Sequence, residues 1–222
     1  MVDIIHSFLN QTLVIGHIRV LPDSVETGYY RTWFNPADSS VAAIRSIDPF
    51  RPFFDKPPDK ELILTGVMGA MNMQMKTSAD AHIPGDVNKM GVDWYDHMQE
   101  ANAASTTQNV RWIMRDKRTG DENHMIFWTF KTGDKVMIRI YNDSLAMHPM
   151  AHPIHFHGQR FLVVNVNGSR VADLAWKDTF LIGKGYTVDI LLDASNPGGW
   201  MAHCHISEHM EDMMMLYYHV GD

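Results

Sequence analysis

The chain contains one cysteine in 222 residues, and it stands between two histidines: His203-Cys204-His205-Ile206-Ser207-Glu208-His209, followed by Met210-Glu211-Asp212-Met213-Met214-Met215. A second cluster lies upstream, His152-Pro153-Ile154-His155-Phe156-His157-Gly158. Side chains alternate faces along an extended strand, so His203 and His205 point away from the Cys204 side. His155 and His157 share a face, while His152, ahead of Pro153, sits at a loop entrance and turns elsewhere. The fold must therefore bring the clusters together with His152, Cys204 and His209 on one side. His155, His157, His203 and His205 gather on the other.

This donor set is soft. Copper prefers thiolate, imidazole and thioether together, and its blue electron-transfer sites use two His, one Cys and a weak axial Met. A Met a few residues after His209 fits on the same tight loop. A structural zinc site closes with four ligands, which leaves too many imidazoles over. A lone buried His is usually a hydrogen-bonded core residue, but these clusters hold seven ligand-type residues. The pattern thus places one metal on the thiolate side and a second centre on the imidazole side. Cys204 is covalently next to ligands of both, which gives a short through-bond electron path.

Hydrophobic content of 45% and charged content of 20% are those of a globular chain. A net charge of -7 argues against nucleic acid as a partner. One Cys forms no internal disulfide, and no apolar stretch is long enough to span a bilayer. Residues Met1 to His6 lack the basic and apolar regions of a signal peptide, which carries no weight if they begin inside a longer protein.

The second half reads as all-β. Strand-like runs at Met125–Phe130, Lys135–Tyr141, Phe161–Val166, Thr187–Leu192 and Met215–Val220 are separated by turn signals such as Asn167-Gly168 and Asn196-Pro197-Gly198-Gly199. Such spacing predicts a sandwich or barrel. Residues 206–212 have room for a turn or two of helix. In the first half, Thr12–Val20 and Glu61–Thr65 look like strands, and residues 66–109 lack a clean period. The expected division is 1–107 and 108–222.

The motifs His152-Pro153-x-His155-x-His157-Gly158 and His203-Cys204-His205-x3-His209-x4-Met214 resemble the C-terminal domain of the multicopper oxidases, the laccase-like blue copper enzymes. The resemblance covers about residues 110–222, and residues 45–110 resemble the end of a preceding domain and its linker. It implies a cupredoxin-like Greek-key β-sandwich after a partial second cupredoxin-like domain. It also implies a type 1 copper on His152, Cys204 and His209 with Met214 axial, and His155 on a type 2 copper. His157, His203 and His205 would serve the type 3 pair. The implied activity is oxidation of a phenolic or metal-ion donor, Cu(I) or Fe(II), with O2 reduced to water. Export to the periplasm or outside the cell is the location implied.

In that family half of the trinuclear ligands come from an N-terminal domain with two His-x-His motifs. No further His-x-His occurs here, and His6, His17, His82, His97 and His124 are isolated. The expectation is a fragment, or a partner chain or domain that supplies the remaining ligands. The alternatives are a blue copper electron carrier without oxidase activity and a nitrite-reductase-like protein with copper between subunits. Glu208 is expected either to relay protons to reduced oxygen or to act as a solvated acid holding a His. Met68, Met71, Met73 and Met75 read either as soft Cu(I) donors or as a loop packing on a neighbouring domain. His148 is a candidate hydrogen-bond partner of a ligand imidazole, and Met213 and Met215 compete with Met214 for the axial position.

Overall fold

In the computed structural model the described residues are 2–8, 11–19, 38–68, 106, 109–146 and 150–222. They form two compact units, Met1–Arg45 and Ser46–Asp222. The first contains an antiparallel hairpin of β1 (Val2–Phe8) and β2 (Gln11–Ile18), and helix α1 (Asp38–Arg45).

The second unit is a two-sheet sandwich. One sheet contains β3 (Lys60–Met68), β4 (Val110–Asp116), β6 (Asp134–Asn142), β8 (Arg160–Val166), β10 (Trp176–Lys177) and β12 (Thr187–Ala194), in the order β10-β8-β12-β6-β3-β4, with β9 (Ser169–Arg170) paired to β8. The other contains β5 (Phe127–Lys131), β7 (His152–Phe156), β11 (Thr179–Ile182), β13 (Gly198–Cys204) and β14 (Met215–Gly221), in the order β11-β7-β13-β14-β5. Helix α2 (Ser207–Glu211) sits between β13 and β14, as residues 206–212 led one to expect. The all-β expectation holds, and period-two patterning explains it. In β5, Trp128 and Phe130 are buried while Phe127, Thr129 and Lys131 are exposed. In β14, Leu216, Tyr218 and Val220 point into the same inter-sheet core.

The first sheet is buried on both faces. A 3-10 helix (Asp48–Phe53) lays Phe50, with Ile47 and Phe54, on Met137, Leu162, Val164 and Leu191. Phe50 meets Trp176 edge to face at 4.8 Å. This explains why Ile190, Leu191 and Leu192 are all buried although they alternate faces.

The second compact unit, Ser46–Asp222, runs across the expected boundary between 107 and 108. Strand β3 pairs with β6 in parallel from Lys60 to Leu64 and with β4 antiparallel from Leu62 to Met68. Its backbone ladder is made with β4 and β6, so the sandwich draws in residues from Ser46 onward.

Candidate metal centre

The two histidine clusters lie on neighbouring strands. In the β7–β13 register His155 faces His203 and Cys204 faces Ile154. Cys204, Ile154 and His152 therefore share the inner face, and His155, His157, His203 and His205 share the outer one. Backbone bonds fix this arrangement on both sides of Cys204. His157 N–H donates to the Met201 carbonyl at 3.0 Å, and His205 N–H to the Pro153 carbonyl at 2.7 Å.

The loop after β13 returns its side chains to the inner face. His209 is carried by α2, Met214 N–H donates to the His209 carbonyl at 3.0 Å, and Cys204 N–H donates to the Met214 carbonyl at 3.1 Å. The chain makes this reversal at Met213, which has φ of +66°. Met213 is 40% exposed, Met215 is half-buried, and Met214 is fully buried in the same cluster as Cys204.

The inner-face donors converge. Cys204 Sγ lies 3.7 Å from His152 Nδ1 and 3.5 Å from His209 Nδ1, and the two nitrogens are 3.2 Å apart. The centre of that triangle is about 2.0 Å from each corner, within the about 2.0–2.3 Å at which imidazole nitrogen and thiolate sulfur bind an ion of this class. All three residues are buried: Cys204 is 0% exposed, His152 2% and His209 3%. Burial pushes the Cys204 thiol from 9.0 up to about 12, against a smaller lowering by the Ile206 N–H that donates to it. A thiolate here needs a cation to stabilise it, and the two nitrogens and sulfur suit a soft one.

On the outer face the four imidazoles are mutual neighbours, with ring centroids 4.8 Å apart for His155 and His157, 5.1 Å for His157 and His203, and 5.6 Å for His203 and His205. His203 Nδ1–H donates to the Cys204 carbonyl at 2.8 Å, which leaves the His203 Nε2 lone pair 3.0 Å from His157 Nε2. His155 Nδ1–H donates to the Asp178 carbonyl at 3.0 Å, with Thr179 Oγ1 at 2.9 Å. Burial lowers the pKa of His157, and the neighbouring imidazoles lower it further. His203 is likewise lowered, first by burial, while its bond to the Cys204 carbonyl opposes the shift. With its Nδ1–H committed to the Cys204 carbonyl, His203 presents its Nε2 lone pair toward His157, an arrangement suited to sharing a cation.

Other expectations fare differently. Glu208 is exposed in the first turn of α2, and among the described residues no hydrogen bond joins its carboxylate to the four imidazoles. His17 and His124 are exposed. The side chains of His6 and Met68, and residues Met71, Met73, Met75, His82, His97 and His148, lie outside the described residues.

Three supports of the site were missed in the sequence. Trp112 of β4 stacks on His209, with centroids 3.9 Å apart and planes at 23°. Asp178 and Thr179 orient His155 from a strand edge. Trp200 explains Gly158, whose φ is +66° and where a methyl group would fall on the indole ring. None carries a spacing signal, although a glycine closing the first cluster marked a tight turn.

A sequence model of the family "Multicopper oxidase" matches residues 86–222. The chain belongs to the multicopper oxidase family, which comprises copper-dependent oxidoreductases. Among curated relatives it is 35% identical over 97 residues to the multicopper oxidase mco of Staphylococcus aureus, covering 43% of this chain and 22% of that one. It is 42% identical over 64 residues to a laccase of Phlebia radiata, covering 27% and 12%. A solved multicopper oxidase from Pediococcus acidilactici is similar at 28% identity and a TM-score of 0.43, covering 49% of this chain and 24% of that one. The chain thus spans about a fifth of the length of the first of these relatives.

Proposed function

We propose that this chain carries the electron-accepting copper site of a laccase-like oxidase together with half of its oxygen-reducing copper cluster. His152, Cys204 and His209 would hold the type 1 copper, with the buried Met214 as a thioether donor. His155 contributes to the type 2 copper, and His157, His203 and His205 contribute to the type 3 pair. The remaining ligands come from a preceding domain or a second chain. When bound, copper supplies one-electron acceptance from a phenolic, Cu(I) or Fe(II) donor and four-electron reduction of O2 to water. The observation that carries this reading is the division of donors between the two faces of the β7–β13 pair and the helix after it, a Nδ1–Nδ1–Sγ triangle inside and four imidazoles outside.

The chain's own residues set the terms of that chemistry. Burial of Cys204, His152 and His209 excludes water from the accepting side. Three connections leave Cys204 for the imidazole side: the peptide bonds to His203 and to His205, and the hydrogen bond from His203 Nδ1–H to the Cys204 carbonyl. The Asp178 carbonyl holds His155 in the tautomer with Nε2 free. Glu208 is one residue beyond the start of α2 and near in sequence to both faces. It is the acid proposed to deliver protons to reduced oxygen.

Copper stoichiometry and the visible spectrum of the loaded chain test this reading, followed by O2 uptake with a phenol or Cu(I). An intense thiolate band with several coppers per chain and O2 uptake is the expected result when the remaining ligands are supplied. A band with one copper and no O2 uptake in their presence would make the protein an electron carrier. No band after loading overturns the proposal. In the active assembly Glu208→Gln should keep the blue band and lose O2 reduction.

A further inference from the structure

Among the described residues, Trp112 reaches the inner-face donors from the opposite sheet. Trp112 lies on β4, the edge strand of the first sheet, and is 5% exposed. Its ring is stacked on His209 and meets His152 edge-on, with centroids 5.5 Å apart and planes at 69°. The backbone behind the ring is held on both sides. Trp112 N–H donates to Asp212 Oδ2 at 2.6 Å, and its carbonyl accepts from Asn123 Nδ2 at 2.8 Å. Asn123 is buried, has φ of +51°, and through Oδ1 accepts the Met114 N–H at 2.7 Å. Asp212 directly follows α2, and its own N–H donates to the Glu208 carbonyl at 3.2 Å.

The helix that carries His209 is therefore joined to β4 at two points, a ring stack and a carboxylate–amide bond. We infer that Trp112 is a positioning residue for the thiolate-side copper, fixing the plane of the His209 ring and closing the site to water. This rests on the reading of His152, Cys204 and His209 as copper ligands. An imidazole bound through one nitrogen keeps a torsion about its bond to the metal, and a flat partner across its face removes that freedom. A dry site also favours the less charged Cu(I)–thiolate state over Cu(II)–thiolate, because burial penalises net charge. Removing the ring frees His209 and admits water, and both changes act on the copper rather than on the sandwich as a whole.

The test uses the full chain loaded with copper and two variants, Trp112→Leu and Trp112→Phe. The readouts are the thiolate-to-Cu(II) band, the reduction potential and the rate of copper release to a chelator. Trp112→Leu should shift the band, lower the potential and release copper at least tenfold faster, and Trp112→Phe should restore most of each. Wild-type values in all three for Trp112→Leu overturn the inference. A measurement on the wild type alone guards against a variant that does not fold. In the diamagnetic Cu(I) form the indole ring current should move the His209 ring protons upfield, and unshifted protons overturn the stack. A wild-type chain that takes up copper without any thiolate band overturns the copper reading itself, a result distinct from the failure of the Trp112 role.

Discussion

Copper binding to this chain should release one proton from Cys204 throughout the neutral and mildly alkaline range. Burial holds the thiol at about 12 in the metal-free chain. At pH 7 the thiolate fraction is then about 10⁻⁵, against about 10⁻² for a thiol at 9.0. The difference of about three units corresponds to about 4 kcal/mol that metal–thiolate bonding must offset beyond what an exposed cysteine requires. The sign follows from which state holds the proton. Metal-free Cys204 keeps it and the loaded form lacks it, so falling pH drives copper off and rising pH tightens it. The contribution from this group is tenfold in affinity per pH unit, up to about pH 12. Chelator competition between pH 7.5 and 9.5 measures it, with Cys204→Ser as the comparison because a hydroxyl stays protonated over that window. The two slopes of log affinity against pH should differ by one. Equal slopes would mean that Cys204 does not bind as a buried thiol that gives up its proton, and the reasoning would fail.

Three further outcomes test the frame around the site. Gly158→Ala should lower unfolding stability by about 2 kcal/mol, since it forces a positive φ and overlaps Trp200; an unchanged denaturant midpoint would refute the packing. Phe50→Ala should cost about 3 kcal/mol in the same assay, because Phe50 belongs to the segment that seals the first sheet. If residues 46–54 were a dispensable linker, the loss would fall below about 0.5 kcal/mol. Burial alone raises the Asp189 carboxyl, but hydrogen bonds from Arg139 and Asn165 more than offset it and hold it below the usual 3.8. A depressed folded-state value contributes stability above the unfolded value and loses it as pH falls through the folded one. The urea midpoint of the wild type should therefore drop below about pH 4, and that of Asp189→Asn should drop less over the same window.

What was legible in the sequence was whatever a strand's period of two carries. His203, Cys204 and His205 announced opposite faces, and β7 and β13 pair so that His155 meets His203 and Cys204 meets Ile154. The alternation in β5 and β14 likewise marked one side as core. Where side chains are buried on both faces that signal disappears. The segment Ile47 to Phe54 reads as a Pro-rich connection, yet it packs the outer face of the first sheet. Strand β3 was visible as a strand, but its paired residues on β4 and β6 lie 42 to 78 residues away in the chain, so its domain was not. Trp112 stayed hidden because Val110-Arg111-Trp112-Ile113-Met114 looks like any half-buried strand. Only tertiary packing sets its ring against His209.

The pairing of β13 with β7 has a consequence for how such a chain can change. A slip of one residue in that ladder would carry Cys204 to the outer surface and two imidazoles into the core. The same hydrogen bonds that hold the sandwich together thus assign each donor to the inner or the outer group. An odd-numbered insertion inside Ala202–His205 would separate the inner and outer donor groups and unpack the core at once. Strand pairing and donor placement therefore rest on one register, and a change in either is felt in the other.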